Sequence, residues 1–276
     1  MQSSFNATKH PHQIARRRFL AASAATGLPS SLIAEPNHCE TVSIEAHKDH
    51  QIVKVILQGG PSQIDLWDLK PNAVKEIRGS FRPISTQVAG VQISECLPQI
   101  AAMMQRFTIV RSISGSIGSH DLTQTETGLA AGSTISSSNA STFQEAEALL
   151  SAGHSDIVLK FGNWDHHQQL DRAIGLIAKQ LDKQLSHFIQ SLANTGRLEQ
   201  TTVLVWGEFG RSPRINADGG RDHWPAVNSA LIAGGLSTRG NIWGSTSDDG
   251  SYINEPSTDM HKLVQRCSHS PSAGLV

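Results

Sequence analysis

Apolar residues along this chain fall into short β-branched runs between longer polar stretches, with one extended helical stripe past the middle. QIVKVIL (Gln51–Leu57), stopped by Gly59-Gly60-Pro61-Ser62, predicts a strand. FTIVRSI (Phe107–Ile113), DIVLKF (Asp156–Phe161), TTVLV (Thr201–Val205) and VNSALIA (Val227–Ala233) predict further strands. Leu97, Ile100, Ala101 and Met104 repeat at helical spacing, which predicts a helix over Glu95–Arg106 with Ser94 as its cap. Another helix is expected from Ser119-His120-Asp121 towards Ala131. The clearest period belongs to Leu170, Ile174, Ile177, Leu181, Leu185, Phe188 and Leu192, which step by three or four. That spacing predicts a helix of about six turns with one apolar face, stopped at Asn194-Thr195-Gly196. Residues 257–267 predict a last helix.

Strand, long helix, strand is a βαβ unit, and a crossover of that length makes its strands parallel. The expected fold class is therefore α/β with a mostly parallel sheet. One domain is expected to run over 51–131 and 143–267, interrupted by a low-complexity Ser-rich link at 132–142 (GSTISSSNAST). Residues 35–50 read as a linker and 268–276 as a disordered tail.

Composition narrows the function classes. Hydrophobic residues make up 38% and charged residues 17%, which is a globular balance. The net charge of −1 hides an asymmetry: residues 1–34 carry Lys9, Arg16, Arg17 and Arg18 and no acid, which leaves −5 for the remainder. An acidic remainder argues against a nucleic-acid surface. Cys39, Cys96 and Cys267 are odd in number and lack metal-type spacing, so they define neither a disulfide framework nor a zinc knuckle. Ala15-Arg16-Arg17-Arg18-Phe19-Leu20 resembles a twin-arginine export signal, with Ala15 where Ser or Thr is usual. The small-residue run behind it is broken by Gly27 and Pro29 and is too short to span a bilayer. A periplasmic or extracellular location is expected, and twin-arginine export of folded proteins suits one loaded with metal.

The candidate chemistry gathers behind the strands. WGEFGRSPRINADGGRDHWP (Trp206–Pro225) follows a buried strand and is dense in charge, glycine and aromatic residues. Parallel strands share a carboxyl edge, where open α/β sheets bind ligands. Asp165 and His167 follow one strand and Glu208 the next, so they belong to the same edge. Asp65 and His120 join it if their strands are parallel too, and His223 reaches it if its loop folds back. Carboxylates and imidazoles converging there suit zinc or manganese. Each residue also has a plainer reading: Asp65 and Asp68 as turn caps, His166 and His167 as solvated residues at a helix start, Glu208 paired with Arg211, and Asp222 with Arg221.

Several motifs in order, QGGPSQIDLWDLKP, RGSFRPISTQVAGVQISECLPQIA, GNWDHH, WGEFGRSPRIN and GGRDHWP, resemble the domain-of-unknown-function 1501 family of exported, sulfatase-like bacterial proteins in the alkaline phosphatase superfamily. The resemblance covers roughly residues 52–130 and 162–260. It implies a mostly parallel sheet sandwiched by helices, alkaline phosphatase-like, with zinc, manganese or calcium at its carboxyl edge and an anionic phosphate or sulfate ester as substrate. It also implies Asp65, Asp165, His167, Glu208 and His223 as metal ligands, with His166 standing where Thr is usual. Arg211 and Arg221 would clamp a tetrahedral anion. Ser119 is the candidate nucleophile, with Ser62 and Thr123 as competitors. Phe209 stands where relatives have a ligand, so a second metal site would be incomplete. The segment between His120-Asp121 and GNWDHH is short for the family, and the pattern departs after about Met260. An incomplete fold is expected, and the alternative function is a secreted binding or remnant protein without catalysis.

Overall fold

A computed structural model of the chain describes residues 50–116, 118, 137–235 and 240–269. The expected leader at 1–34, the helix towards Ala131, Ser119, His120, and residues 132–136 of the Ser-rich link lie outside the described residues.

Eight strands form one sheet: β1 Gln51–Leu57, β2 Phe107–Ser114, β3 Ser138–Ala140, β4 Asp156–Phe161, β5 Thr201–Trp206, β6 Asn228–Gly234, β7 Asn241–Trp243 and β8 Thr258–Asp259. Their order is β7-β2-β6-β5-β1-β4-β3, with β8 also paired to β2. Only β6 runs antiparallel to its neighbours. The parallel pairs of β1 with β4 and β5, β4 with β3, and β2 with β7 and β8 complete the mostly parallel α/β sheet that the βαβ pattern predicts. β4 and β5 are parallel but not adjacent: β1 lies between them, so the helix joining them crosses over one strand.

The sheet is buried on both faces, which is why β1 is apolar on both sides of the strand apart from Lys54. Val53, Val55 and Leu57 belong to a core shared with helices α1 (Phe143–Ser151) and α2 (Leu170–Asn194). Ile52 and Ile56 belong to the opposite core, where α3 (Met260–His269) contributes Leu263, Val264 and Cys267. Lys54 breaks the apolar pattern on the α3 face; its Nζ comes within 2.7 Å of the Asp156 carboxylate on β4. Burying an ammonium group without such a partner is costly.

α2 spans 25 residues, longer than the apolar stripe alone predicts. Leu170, Ile174, Leu181, Leu185, Phe188 and Leu192 are buried as expected, and Ile177 is half-buried. The helix ends where the sequence predicts. Gly196 takes a positive φ of 72°, its N–H donates to the Ala193 carbonyl (3.1 Å), and the Arg197 N–H donates to the Leu192 carbonyl (2.9 Å). This reciprocal pattern satisfies carbonyls the helix would otherwise leave unpaired.

Two segments differ from the sequence expectation. The expected Glu95–Arg106 helix is a five-residue helix, Pro98–Ala102, followed by a 3-10 turn, Met104–Arg106. Ser94 ends a short strand instead of capping, and Pro98 sits in the first turn, where its missing N–H costs nothing. The cap comes from far away: Asp182 on α2 accepts from the Gln99 N–H (3.0 Å) and the Ile100 N–H (2.8 Å). Burial pushes the Asp182 carboxyl up, and these two bonds only partly offset it. The second difference is β3, which lies inside the segment expected as a Ser-rich link. Its Ser138, Asn139 and Ala140 pair in parallel with β4. A three-residue polar strand at the sheet edge offers little for another chain to pair with.

Candidate metal centre

β1, β4 and β5 run parallel, so the loops that leave their carboxyl ends meet. Gly162–Gln169 follows β4 and carries Asp165 and His167. The long loop after β5 returns to the edge through a two-residue antiparallel ribbon, Gly210–Arg211 with His223–Trp224. That ribbon sets Arg211 opposite His223 and folds His223 back over the site. Gly210 and Gly220 permit this close packing. A Cβ on Gly210 would collide with the Val227 carbonyl oxygen, and one on Gly220 with the His167 carbonyl.

Asp165, His167 and His223 converge. Asp165 Oδ1 lies 3.0 Å from His167 Nε2 and 3.2 Å from His223 Nε2, and the two Nε2 atoms are 3.1 Å apart. These are the groups that could hold a metal ion among the described residues. The outer ring nitrogens explain why three such atoms face inward. The Gly118 carbonyl can only accept, so in the tautomer with the proton on His223 Nδ1, 3.1 Å away, the Nε2 lone pair is left for the centre. His167 Nδ1 faces Asp222 Oδ1 at 3.4 Å in the same sense. Three such atoms facing one another form a group that could share a metal ion. Donors held about 2.0–2.1 Å from a tetrahedral zinc sit roughly 3.3 Å apart, close to the spacing here.

The surrounding loop is built to hold this geometry. Asn216 Nδ2 donates to both the His167 carbonyl (3.1 Å) and Asp222 Oδ1 (3.0 Å), while its Oδ1 accepts from the Asp218 and Gly220 N–H groups. Phe209 is fully buried and packs on the His223 ring, with centroids 4.1 Å apart. Asn216, Phe209, Asp222 and the Gly118 carbonyl could not be assigned these roles from the sequence. A neutral amide, an apolar ring or a main-chain oxygen carries no metal signal of its own, although GGRDHWP places Asp222 beside His223.

The other expected site residues lie differently. Asp65 is fully buried against Arg221, whose Nε donates to Oδ2 (2.7 Å) and Nη2 to Oδ1 (3.1 Å), and Ser62 Oγ donates to the same carboxylate. Glu208 accepts from the Gly59 N–H (3.0 and 2.9 Å) and the Gly60 N–H (2.9 Å). Neither joins the group formed by Asp165, His167 and His223. The two expected anion-binding arginines are both turned inward. Arg221 also donates to the carbonyls of Ile77 (2.8 Å), Ser212 (3.2 Å) and Pro213. Arg211 donates to the carbonyls of Gly60 (2.8 Å), Arg221 (2.9 Å) and Gly59, and to Asp165 Oδ1 (2.5 Å). Gly59 and Gly60 are thus held from both sides, their N–H groups on Glu208 and their carbonyls on Arg211. Asp68 serves structure as well, buried against Arg111 (3.2 Å), Lys70 (3.2 Å) and Thr246 Oγ1 (2.5 Å).

Burial raises the Asp165 carboxyl, but the Arg211 guanidinium and the adjoining His223 and His167 rings overcome it. The group is held down at about 2, against an ordinary 3.8. A carboxyl depressed in the fold contributes stability above its unfolded value and loses it as pH falls through the folded one. In the presence of a chelator, the stability gap between the native chain and Asp165→Asn is therefore expected to be largest above about pH 4 and to close towards pH 2. Urea unfolding across that range measures it, and a gap independent of pH would contradict the assignment. Burial, then the Arg211 charge, lowers His166, against the pull of Asp165. His166 therefore favours its neutral form beside the centre.

An α/β protein with a three-residue candidate metal centre at the carboxyl edge of its sheet is what fold and site define. The chain belongs to the family described as Protein of unknown function (DUF1501), whose model matches residues 49–146 and 124–274. This is the family that the sequence motifs resemble. No curated protein matches the chain. Among solved structures it is similar to the PH0037 protein from Pyrococcus horikoshii, at 17% identity over 46% of this chain, with a TM-score of 0.29. The chain spans 31% of that protein's length. It is also similar to the lipoteichoic acid synthase LtaP from Listeria monocytogenes, at 10% identity, covering 77% of this chain and 74% of that one, with a TM-score of 0.37. A third likeness is to the soluble domain of lipooligosaccharide phosphoethanolamine transferase A from Neisseria meningitidis, at 10% identity, covering 67% and 77%, with a TM-score of 0.34.

Proposed function

We propose that this chain is an exported, divalent-metal-dependent hydrolase of the alkaline phosphatase-like type, acting on phosphate or sulfate esters. The observation that carries the reading is the convergence of Asp165 Oδ1, His167 Nε2 and His223 Nε2 within 3.0–3.2 Å of one another. Two imidazoles and one carboxylate suit zinc or manganese better than calcium, which prefers oxygen ligands throughout. When bound, such an ion supplies Lewis acidity to an ester oxygen and lowers the pKa of a water. Asp165 and the two histidines would hold it, Asp222 and the Gly118 carbonyl would orient the rings, and Ser119 would be the nucleophile. Glu208 and Asp65 remain assigned to the same edge, with Arg211 and Arg221 behind them. Export rests on the Arg16-Arg17-Arg18 leader; no helix of the described residues is long and apolar enough to cross a membrane.

Purified protein is expected to retain about one divalent ion, and Asp165→Ala with His167→Ala to abolish retention, measured by elemental analysis after dialysis. Unchanged metal content in the double variant would sink the metal reading. One observation favours a second reading, a metal-binding protein without catalysis: the donors of Arg211 and Arg221 go to acceptors of the protein itself. Metal-dependent turnover of an aryl phosphate or aryl sulfate supports the hydrolase. Metal binding without turnover across such a panel supports the second reading.

A further inference from the structure

We propose that Arg211 is a resident counter-cation of the metal centre: its guanidinium holds the ligand atoms in place and, by the same contact, weakens their hold on a divalent ion. The inference rests on the metal reading above. Nη2 of Arg211 donates to Asp165 Oδ1 at 2.5 Å, and Nη1 lies 3.4 Å from His167 Nε2. These are two of the three atoms that face the centre, so the guanidinium claims the lone pairs a metal would need.

Arg211 has no freedom to swing aside. It is 1% exposed, and Nε is fixed on the Gly60 carbonyl (2.8 Å), Nη1 on the Arg221 carbonyl (2.9 Å) and Nη2 on the Gly59 carbonyl. The backbone of Arg211 is fixed too. Its N–H donates to Gln63 Oε1 (2.8 Å), and its carbonyl accepts from Gln63 Nε2 (2.9 Å). The Phe209 ring lies 5.4 Å from the guanidinium carbon. A charge so fixed does not relax when a second cation approaches, and the guanidinium itself is withdrawn from the solvent that would screen it.

The other charged groups do not duplicate it. Asp222 lies beside His167, Glu208 is held by the Gly59 and Gly60 amides, and Arg221 is turned to Asp65.

A merely supporting arginine and a counter-cation give opposite signs. Losing a support loosens the ligands and weakens metal binding. Losing a counter-cation removes repulsion and strengthens it. Zinc affinity is measured by chelator-competition calorimetry on the native chain, Arg211→Met and Arg211→Lys, with circular dichroism to verify folding. Arg211→Met is expected to bind zinc on the order of tenfold or more tightly than native, while Arg211→Lys, which keeps the charge, stays close to native. Equal or weaker binding by a folded Arg211→Met variant overturns the proposal. If that variant does not fold, guanidinium 15N resonances of the native chain decide: they are expected to shift for Arg211 as zinc is added, and unchanged resonances overturn it. A native chain that takes up no zinc overturns the metal reading with it, whereas native zinc binding without the gain overturns this inference alone.

Discussion

Replacing Arg221 by methionine is expected to cost the fold about 3–5 kcal/mol, because it strands a fully buried carboxylate. Asp65 keeps only Ser62 from the partners described above, while the carbonyls of Ile77, Ser212 and Pro213 lose their shared donor. The pair also fits tightly against the chain: a Cβ on Gly79 would come 2.8 Å from Asp65 Oδ1 and 3.2 Å from Arg221 Nη2. The sharper test is a cycle. Arg221→Met with Asp65→Leu removes both charges and is expected to be less destabilised than Arg221→Met alone, since an apolar pair carries no orphaned ion. Urea unfolding of the three variants measures this. A loss under about 1 kcal/mol for Arg221→Met would mean that the pair is not what holds the loop to the first strand's turn.

Gly59→Ala is expected to cost about 2–4 kcal/mol and to take the metal with it. Gly59 has a φ of 100°, and a Cβ there would lie 2.5 Å from the Asp165 N and 3.0 Å from the Trp164 N. Both obstacles are backbone, so relief must move the segment that presents Asp165. Gly153 supplies the control, since it has a φ of 90° and a Cβ there would meet nothing within 4 Å. Gly153→Ala therefore reports the strain of a positive φ alone, expected at about 1 kcal/mol. Equal losses for the two variants, or full metal retention by Gly59→Ala, would refute the collision argument.

The regular parts of this fold were legible in the sequence for a physical reason. β1, β4 and β5 are buried on both faces and so carry apolar residues at adjacent positions, while α2 is buried on one face and so repeats at helical spacing. From those elements alone, the carboxyl-edge argument put Asp165 and His167 together. His223 required one more step, the ribbon between Gly210–Arg211 and His223–Trp224, which two residues on each side cannot announce. Asp65 and Glu208 show the limit more clearly. Sequence could not show that the one accepts from an arginine fork and the other from two glycine amides. What separates them is the partner, and Arg221 stands 156 residues from Asp65. The Asp182 cap of Pro98–Ala102 was hidden for the same reason, since its acceptor stands 83 residues from Gln99 and 82 from Ile100.

The start of α2 has one further consequence. No side chain caps this helix; Gln169, at a φ of 46°, and Leu170 instead donate their N–H groups to the carbonyls of Asp218 (3.3 Å) and Gly219 (2.9 Å). The segment that presents His167 and the loop that presents His223 are therefore stitched together by main-chain bonds independent of either imidazole. Local opening of one breaks the bonds that order the other, so the two arms are expected to exchange their amide hydrogens together. The centre is then expected to be lost as a whole, not one ligand at a time.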